Sequence, residues 1–162
     1  MRAFRIRTES SDRRGTATVE FAVIAPLFVT LALGTWEMGT AVTASNNLTA
    51  SVREGGRLAS MDFTGKLAQN QTPNQKVIQD IRAFLSATGI PGAQTTVSIT
   101  HADGALAGQE FDVSSPDNYM QLFCIRVTVP YSAVSLFPNR FMSGQTLRAE
   151  LTCRRGRVSM QE

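Results

Sequence analysis

Between Glu20 and Glu37 the chain runs for 16 residues without a charge, FAVIAPLFVTLALGTW. As a helix this run spans roughly 24 Å at 1.5 Å per residue. That is somewhat less than the roughly 30 Å hydrocarbon core of a bilayer. The uncharged flanks, Thr16 to Val19 and Met38 onward, extend it enough to cross, with Glu20 near one face and Glu37 near the other. The rest of the chain must fold around this constraint. At 162 residues there is room for one domain beside the apolar segment, which excludes a large enzyme and a polytopic transporter. The formal charge of +3 invites a nucleic-acid reading, but its distribution argues otherwise. Arg2, Arg5, Arg7, Arg13 and Arg14 crowd the first 15 residues, against only Glu9 and Asp12. Residues 16–162 then hold eleven basic and eleven acidic side chains, a net charge of zero. The basicity belongs to a leader and not to a folded surface. No Lys or Arg follows the apolar run until Arg53, which places the N-terminus in the cytoplasm and the remainder outside it.

Three readings of this N-terminus compete. It is a secretory signal cleaved near Ala32-Leu33-Gly34, an uncleaved signal anchor, or a leader cut ahead of an apolar segment that is retained. Glu20 separates them. A carboxylate in a membrane segment is costly, up to about 2.5–3.5 kcal/mol at a helix centre and less towards an end, and neither a signal peptide nor a plain anchor needs one. If a peptidase cuts after Gly15, Thr16 becomes the first residue and Glu20 the fifth, one helical turn away. The new α-amine, with an ordinary pKa of about 7.7–8.0, is largely protonated at neutral pH. Glu20 can neutralise it, in its own chain or a neighbour's, so two charges poorly tolerated in lipid become tolerable as a pair.

The run Gly15-Thr-Ala-Thr-Val-Glu20-Phe21-Ala22 resembles the cleavage motif of type IV-like prepilins. With Pro26-Leu27, Gly34-Thr-Trp-Glu37 and Arg53-Glu54-Gly55-Gly56-Arg57 in order behind it, the first third of the chain resembles the TadE-like pseudopilins of the tight-adherence (Tad/Flp) pilus. The resemblance covers about residues 13–60 and does not separate TadE from its sister TadF. It implies a minor, non-enzymatic component of pilus assembly in the bacterial inner membrane, with no cofactor. The implied partners are a prepilin peptidase, other pseudopilins, the major Flp pilin, the inner-membrane platform and the lipid bilayer. Gly15 and Thr16 would flank the cut, Glu20, Phe21 and Glu37 would serve assembly or recognition, and Arg53, Glu54, Gly55 and Arg57 form the family-like helix motif. The rival reading is an exported or signal-anchored binding domain with no pilus role. A small extracytoplasmic enzyme is a third class.

The expected organisation is a leader over 1–15, a transmembrane helix over 16–40 kinked at Pro26, and an extracytoplasmic head over 41–162. Past Trp36, itself placed like an interfacial aromatic, the pattern turns from uniformly apolar to striped. Ala41, Ala44, Leu48, Val52, Gly55 and Ala59 recur at helical spacing, so the same helix continues and packs its stripe on the head. Residues 62–72 read as a loop. Thr72 and Pro73 open a second helix, with Val77, Ile78, Ile81, Phe84 and Leu85 facing inward and Gly89 at its end. Alternation predicts strands over 95–101, 123–129 and 147–152, the last two joined through Phe137-Pro138 and Ser143-Gly144. Residues 102–120 form a long Gly/Ala/Asp/Ser-rich connection. The fold class is α+β.

Little chemistry is visible in this head. Cys124 and Cys153 are the only cysteines, and an even count outside the cytoplasm points to a disulfide. Alternation sets them on opposite strand faces, so either the register breaks near Cys153 or the bridge is absent. His101, the sole histidine, and Asp103 lack the company and spacing of a metal site. There is no phosphate loop, G-x-S-x-G or HExxH. Glu110 and Asp112 read as solvated loop. The basic cluster Arg154-Arg155-Gly156-Arg157 reads as a solvated tail, and outside the membrane it has no nucleic acid to meet.

Overall fold

The computed structural model describes residues 12–61, 63, 67–135 and 144–156. The leader arginines Arg2, Arg5 and Arg7, part of the 62–72 loop, Phe137-Pro138 with Ser143, and Arg157 lie outside the described residues. The elements are helix α1 (Asp12–Ala59), helix α2 (Pro73–Ala87) and strands β1 (Thr96–His101), β2 (Leu122–Pro130) and β3 (Thr146–Arg154). The chain divides into two compact units, Met1–Met38 and Gly39–Glu162.

In the first unit the described chain is helical throughout, Pro26 included. Its hydroxyls turn back on the helix: Thr30 donates to the Pro26 carbonyl at 2.8 Å, and Thr35 to Ala32 at 2.9 Å. Such bonds leave these two hydroxyls seeking no outside partner.

The second unit holds the core. The stripe Ala41, Ala44, Leu48, Val52, Gly55 and Ala59 is buried as its spacing predicts, joined by Ser51 and Gly56. Ser51 donates to Leu48 O at 2.7 Å, so its burial strands no donor. Helix α2 opens with a reciprocal capping box. Gln75 N–H donates to Thr72 Oγ1 at 3.2 Å, and Thr72 N–H donates to Gln75 Oε1 at 3.1 Å. It closes on Gly89, with φ of +86°, where Ile90 N–H reaches Leu85 O and Gly89 N–H reaches Ser86 O. That paired bonding needs the left-handed conformation that glycine adopts without strain.

The sheet is antiparallel in the order β1-β2-β3. Phe123, Ile125, Val127 and Val129 of the central strand are fully buried, and pack in one cluster with Leu48, Val52, Val77, Ile81 and Leu85. Each such side chain contributes about 1.5–3 kcal/mol when fully buried. The connection between β1 and β2 is more structured than its composition predicts. Glu110 bridges to Thr100, Phe111 N–H donates to Ile99 O, and Phe111 and Val113 enter the core. Buried Asn74 of α2 fixes this segment, donating to Phe111 O at 2.7 Å and accepting from Val113 N–H at 3.0 Å.

Candidate functional site

The apolar segment is the first candidate. Val19, Phe21, Val23, Ile24, Leu27, Phe28, Val29, Leu31, Leu33, Trp36 and Met38 are all exposed, from 43% at Leu33 to 72% at Phe21. Their positions follow no single stripe, so the helix is apolar all round. A helix of that kind is stable only when lipid or other helices surround it. By length and composition it is able to cross a membrane. Glu20 is exposed on the first turns of this surface, four residues after Thr16. Glu37, near the other end, is half-buried.

Four glycines of the resemblance divide by the space around them. A Cβ built at Gly15 or at Gly34 meets nothing within 4 Å. Packing in the described chain therefore does not require glycine there. At Gly55 a Cβ would stand 2.5 Å from Ile81 Cδ1, and at Gly56 it would stand 2.8 Å from Cys153 Sγ and 3.2 Å from Leu151 Cδ2. These two adjacent glycines let α1 approach α2 and the sheet. The motif around them thus has two faces. Gly55 and Gly56 point into the core, while Arg53 and Arg57 are exposed. Arg57 Nε donates to Glu54 Oε2 at 2.9 Å, and its Nη2 engages Oε1, a bidentate pair within one turn. Solvent screening leaves such a pair little weight in stability. Gly56 held only a variable place in the sequence motif. Its signal was two neighbouring glycines in a helix interior, each costing about 1 kcal/mol against alanine unless a close approach needs it.

The cysteine pairing is corrected. Cys124 and Cys153 are free thiols. The β2–β3 register is regular through this region, with Cys124 opposite Thr152 and Phe123 opposite Cys153. One residue of offset in a pleated strand sends the two side chains to opposite faces of the sheet. Cys153 lies on the core side, where burial pushes its thiol pKa up.

His101 is buried, its ring edge-on to Phe111 at 4.8 Å, and Phe111 stacks on Phe123 at 5.1 Å. Asp103 is exposed. Both border an open cleft of about 490 Å³, with Leu106, Met120, Gln121 and Arg154. Among the described residues no three His, Cys, Asp or Glu side chains gather as metal ligands. Asp112 accepts from Ser114, which holds its carboxyl below the usual range. On the outer sheet face Glu150 lies between Arg148 and Arg126, the latter at 3.2 Å, and these two hold its carboxyl pKa down.

Comparison with known proteins places the resemblance on the same residues. The family model described as TadE-like protein matches residues 15–57, from Gly15 through Glu20 and Glu37 to Arg57. No curated protein and no solved structure matches the chain. On that match and the motifs within it, residues 15–57 are similar to the TadE-like protein family.

Proposed function

We propose that this chain is a minor pseudopilin taking part in assembly of a Tad/Flp adhesion pilus. It is inserted once in the inner membrane, N-terminus inside and head in the periplasm, and is cut between Gly15 and Thr16 by a prepilin peptidase. The observation that carries this reading is the combination at the start of α1. Gly15, a glycine that packing does not require, precedes Glu20 by little more than one helical turn, and the helix that follows is exposed and apolar on every side. The family match over residues 15–57 supports the same assignment.

Each residue then has a physical task. The Gly15–Thr16 amide lies within α1, so the first turn must open before a peptidase can reach it. Gly15 lowers the cost of opening, because glycine is about 1 kcal/mol poorer than alanine in a helix. After cleavage the Thr16 ammonium and the Glu20 carboxylate neutralise each other, which admits the new terminus to a low-dielectric helix bundle. Phe21 and the side chains behind it pack against lipid or neighbouring subunits' helices. Glu37 sits at the far interface, and the other pseudopilins, the major Flp pilin and the inner-membrane platform are the expected partners. The role is structural, and no catalytic group is assigned.

Glu20→Ala tests this. The variant is expected to remain membrane-inserted, since it loses only a charge, yet to abolish or sharply reduce pili counted by electron microscopy. Normal piliation with Glu20→Ala removes the carboxylate from the mechanism.

A further inference from the structure

Strand β3 lies at one edge of the sheet, next to β2. At the ends of the β2–β3 ladder Tyr131 N–H donates to Gln145 O at 2.8 Å and Arg155 N–H donates to Gln121 O at 3.0 Å. In an antiparallel ladder such pairs alternate, so the odd-numbered residues of β3 bond to β2. The even-numbered residues Thr146, Arg148, Glu150, Thr152 and Arg154 turn their backbone N–H and C=O to the other edge. Among the described residues nothing pairs with that edge. Core cover also ends there. Ile125, Val127 and Val129 are fully buried, whereas their partners Leu151, Ala149 and Leu147 on β3 are only half-buried.

We propose that β3 pairs antiparallel with β3 of a second copy, about a twofold axis at Ala149, joining two three-stranded sheets into one. The charge pattern selects both the occupant and the register. With the axis at Ala149, Arg148 faces the second copy's Glu150 and Glu150 faces its Arg148, in the backbone-bonded positions. Leu147 then faces Leu151 in both directions, on the half-buried face, and Thr146 faces Thr152. Moving the axis to Arg148 or to Glu150 sets that charge against itself, and moving it to Leu151 sets Arg148 against Arg154. Like charges directly opposite are destabilising. An axis at Leu147 or at Thr152 avoids them but leaves Arg148 opposite no acid and pairs less of the strand, so the Ala149 axis is the one that pairs both charges along most of the strand. Within each copy both Arg126 and Arg148 engage Glu150; in the pair Arg126 keeps that contact while Arg148 exchanges its own Glu150 for the second copy's. This inference rests on the geometry of β3 and not on the pilus reading.

The test uses the full chain in membranes, with Cys124 and Cys153 replaced by serine. Ala149→Cys is expected to form a disulfide-linked dimer on oxidation, because the two copies' residues are directly opposite. Leu147→Cys, offset by four residues from its own copy, is not. A second experiment keeps the Ala149→Cys background. Arg148→Glu alone and Glu150→Arg alone are each expected to lose cross-linking at position 149, and the two variants mixed are expected to regain it. No linked dimer at position 149, equal linking at 147 and 149, or no recovery in the mixture overturns the proposal. A linked product heavier or lighter than twice the chain also overturns it, by showing that another protein occupies the edge.

Discussion

Gly55 of α1 and Ile81 of α2 meet so closely that a single methyl group does not fit between them. A Cβ at Gly55 would stand 2.5 Å from Ile81 Cδ1 and 2.9 Å from Cγ1, with Ile125 Cδ1 at 3.5 Å. Ile81 is itself buried, so its side chain has little space into which to move. Overpacking of this kind costs about 1–3 kcal/mol, against about 1 kcal/mol of helix propensity gained. Gly55→Ala is therefore expected to destabilise the head by roughly 1 kcal/mol net. Ile81→Val removes the colliding Cδ1, so the double variant should be more stable than the two single costs predict. Urea unfolding in detergent, followed by far-UV circular dichroism, reads the cycle. Simple additivity would mean that the contact does not limit the approach of the helices.

Asn74 joins α2 to the β1–β2 connection through two buried hydrogen bonds. Asn74→Leu strands the Phe111 carbonyl and the Val113 amide, each at about 1–3 kcal/mol. The expected loss is roughly 3 kcal/mol, with faster hydrogen exchange at Val113 before the central strand. Unchanged exchange at Val113 would show that another group holds this segment.

Opposite sheet faces keep Cys124 and Cys153 apart, so the protein should migrate identically on gels with and without reductant. Both thiols should react with an alkylating agent without prior reduction, Cys153 more slowly because burial raises its pKa. A disulfide-linked 124–153 peptide in a digest would require a different β3 register.

Glu150 gives the sheet a pH dependence of definite sign. Its folded-state pKa is depressed by Arg148 and Arg126, so its contribution is present above the ordinary glutamate pKa. It is lost as pH falls through the lowered folded value. The stability difference between the native chain and Glu150→Gln should therefore shrink as the solution is acidified below pH ~4. High salt should shrink it too, since the group is exposed. A difference that grows in acid would reverse the assigned sign.

Much of this architecture was legible in the residues, because burial leaves a period. Ala41, Ala44, Leu48, Val52, Gly55 and Ala59 mark a helix face at 3.6-residue spacing, and alternating Val, Ile and Leu mark the strands. Thr72 and Gly89 mark the ends of α2 through backbone bonds that few other residues satisfy. Phe111 and Val113 were hidden because they stand alone in a polar connection, held by an asparagine 37 and 39 positions away. No local pattern records such a bond. The count of cysteines suggested a bridge, but the parity of their positions, which already opposed it, decided the outcome. At the N-terminus the sequence carried the chemical anomaly, a carboxylate opening an apolar helix. The empty space around Gly15 adds that packing in the described chain does not explain the glycine.

The N-terminal sequence of the mature chain, read by mass spectrometry of protein from native membranes, tests the central claim most directly. A first residue of Thr16 is the predicted result, and Gly15→Ala should then slow processing roughly fivefold, the factor that about 1 kcal/mol of added helix propensity gives. A chain beginning near Thr35, or one retaining its leader intact, would contradict prepilin-type processing. The first would make the head an exported soluble domain, and the second would leave it anchored without a pilin's free terminus.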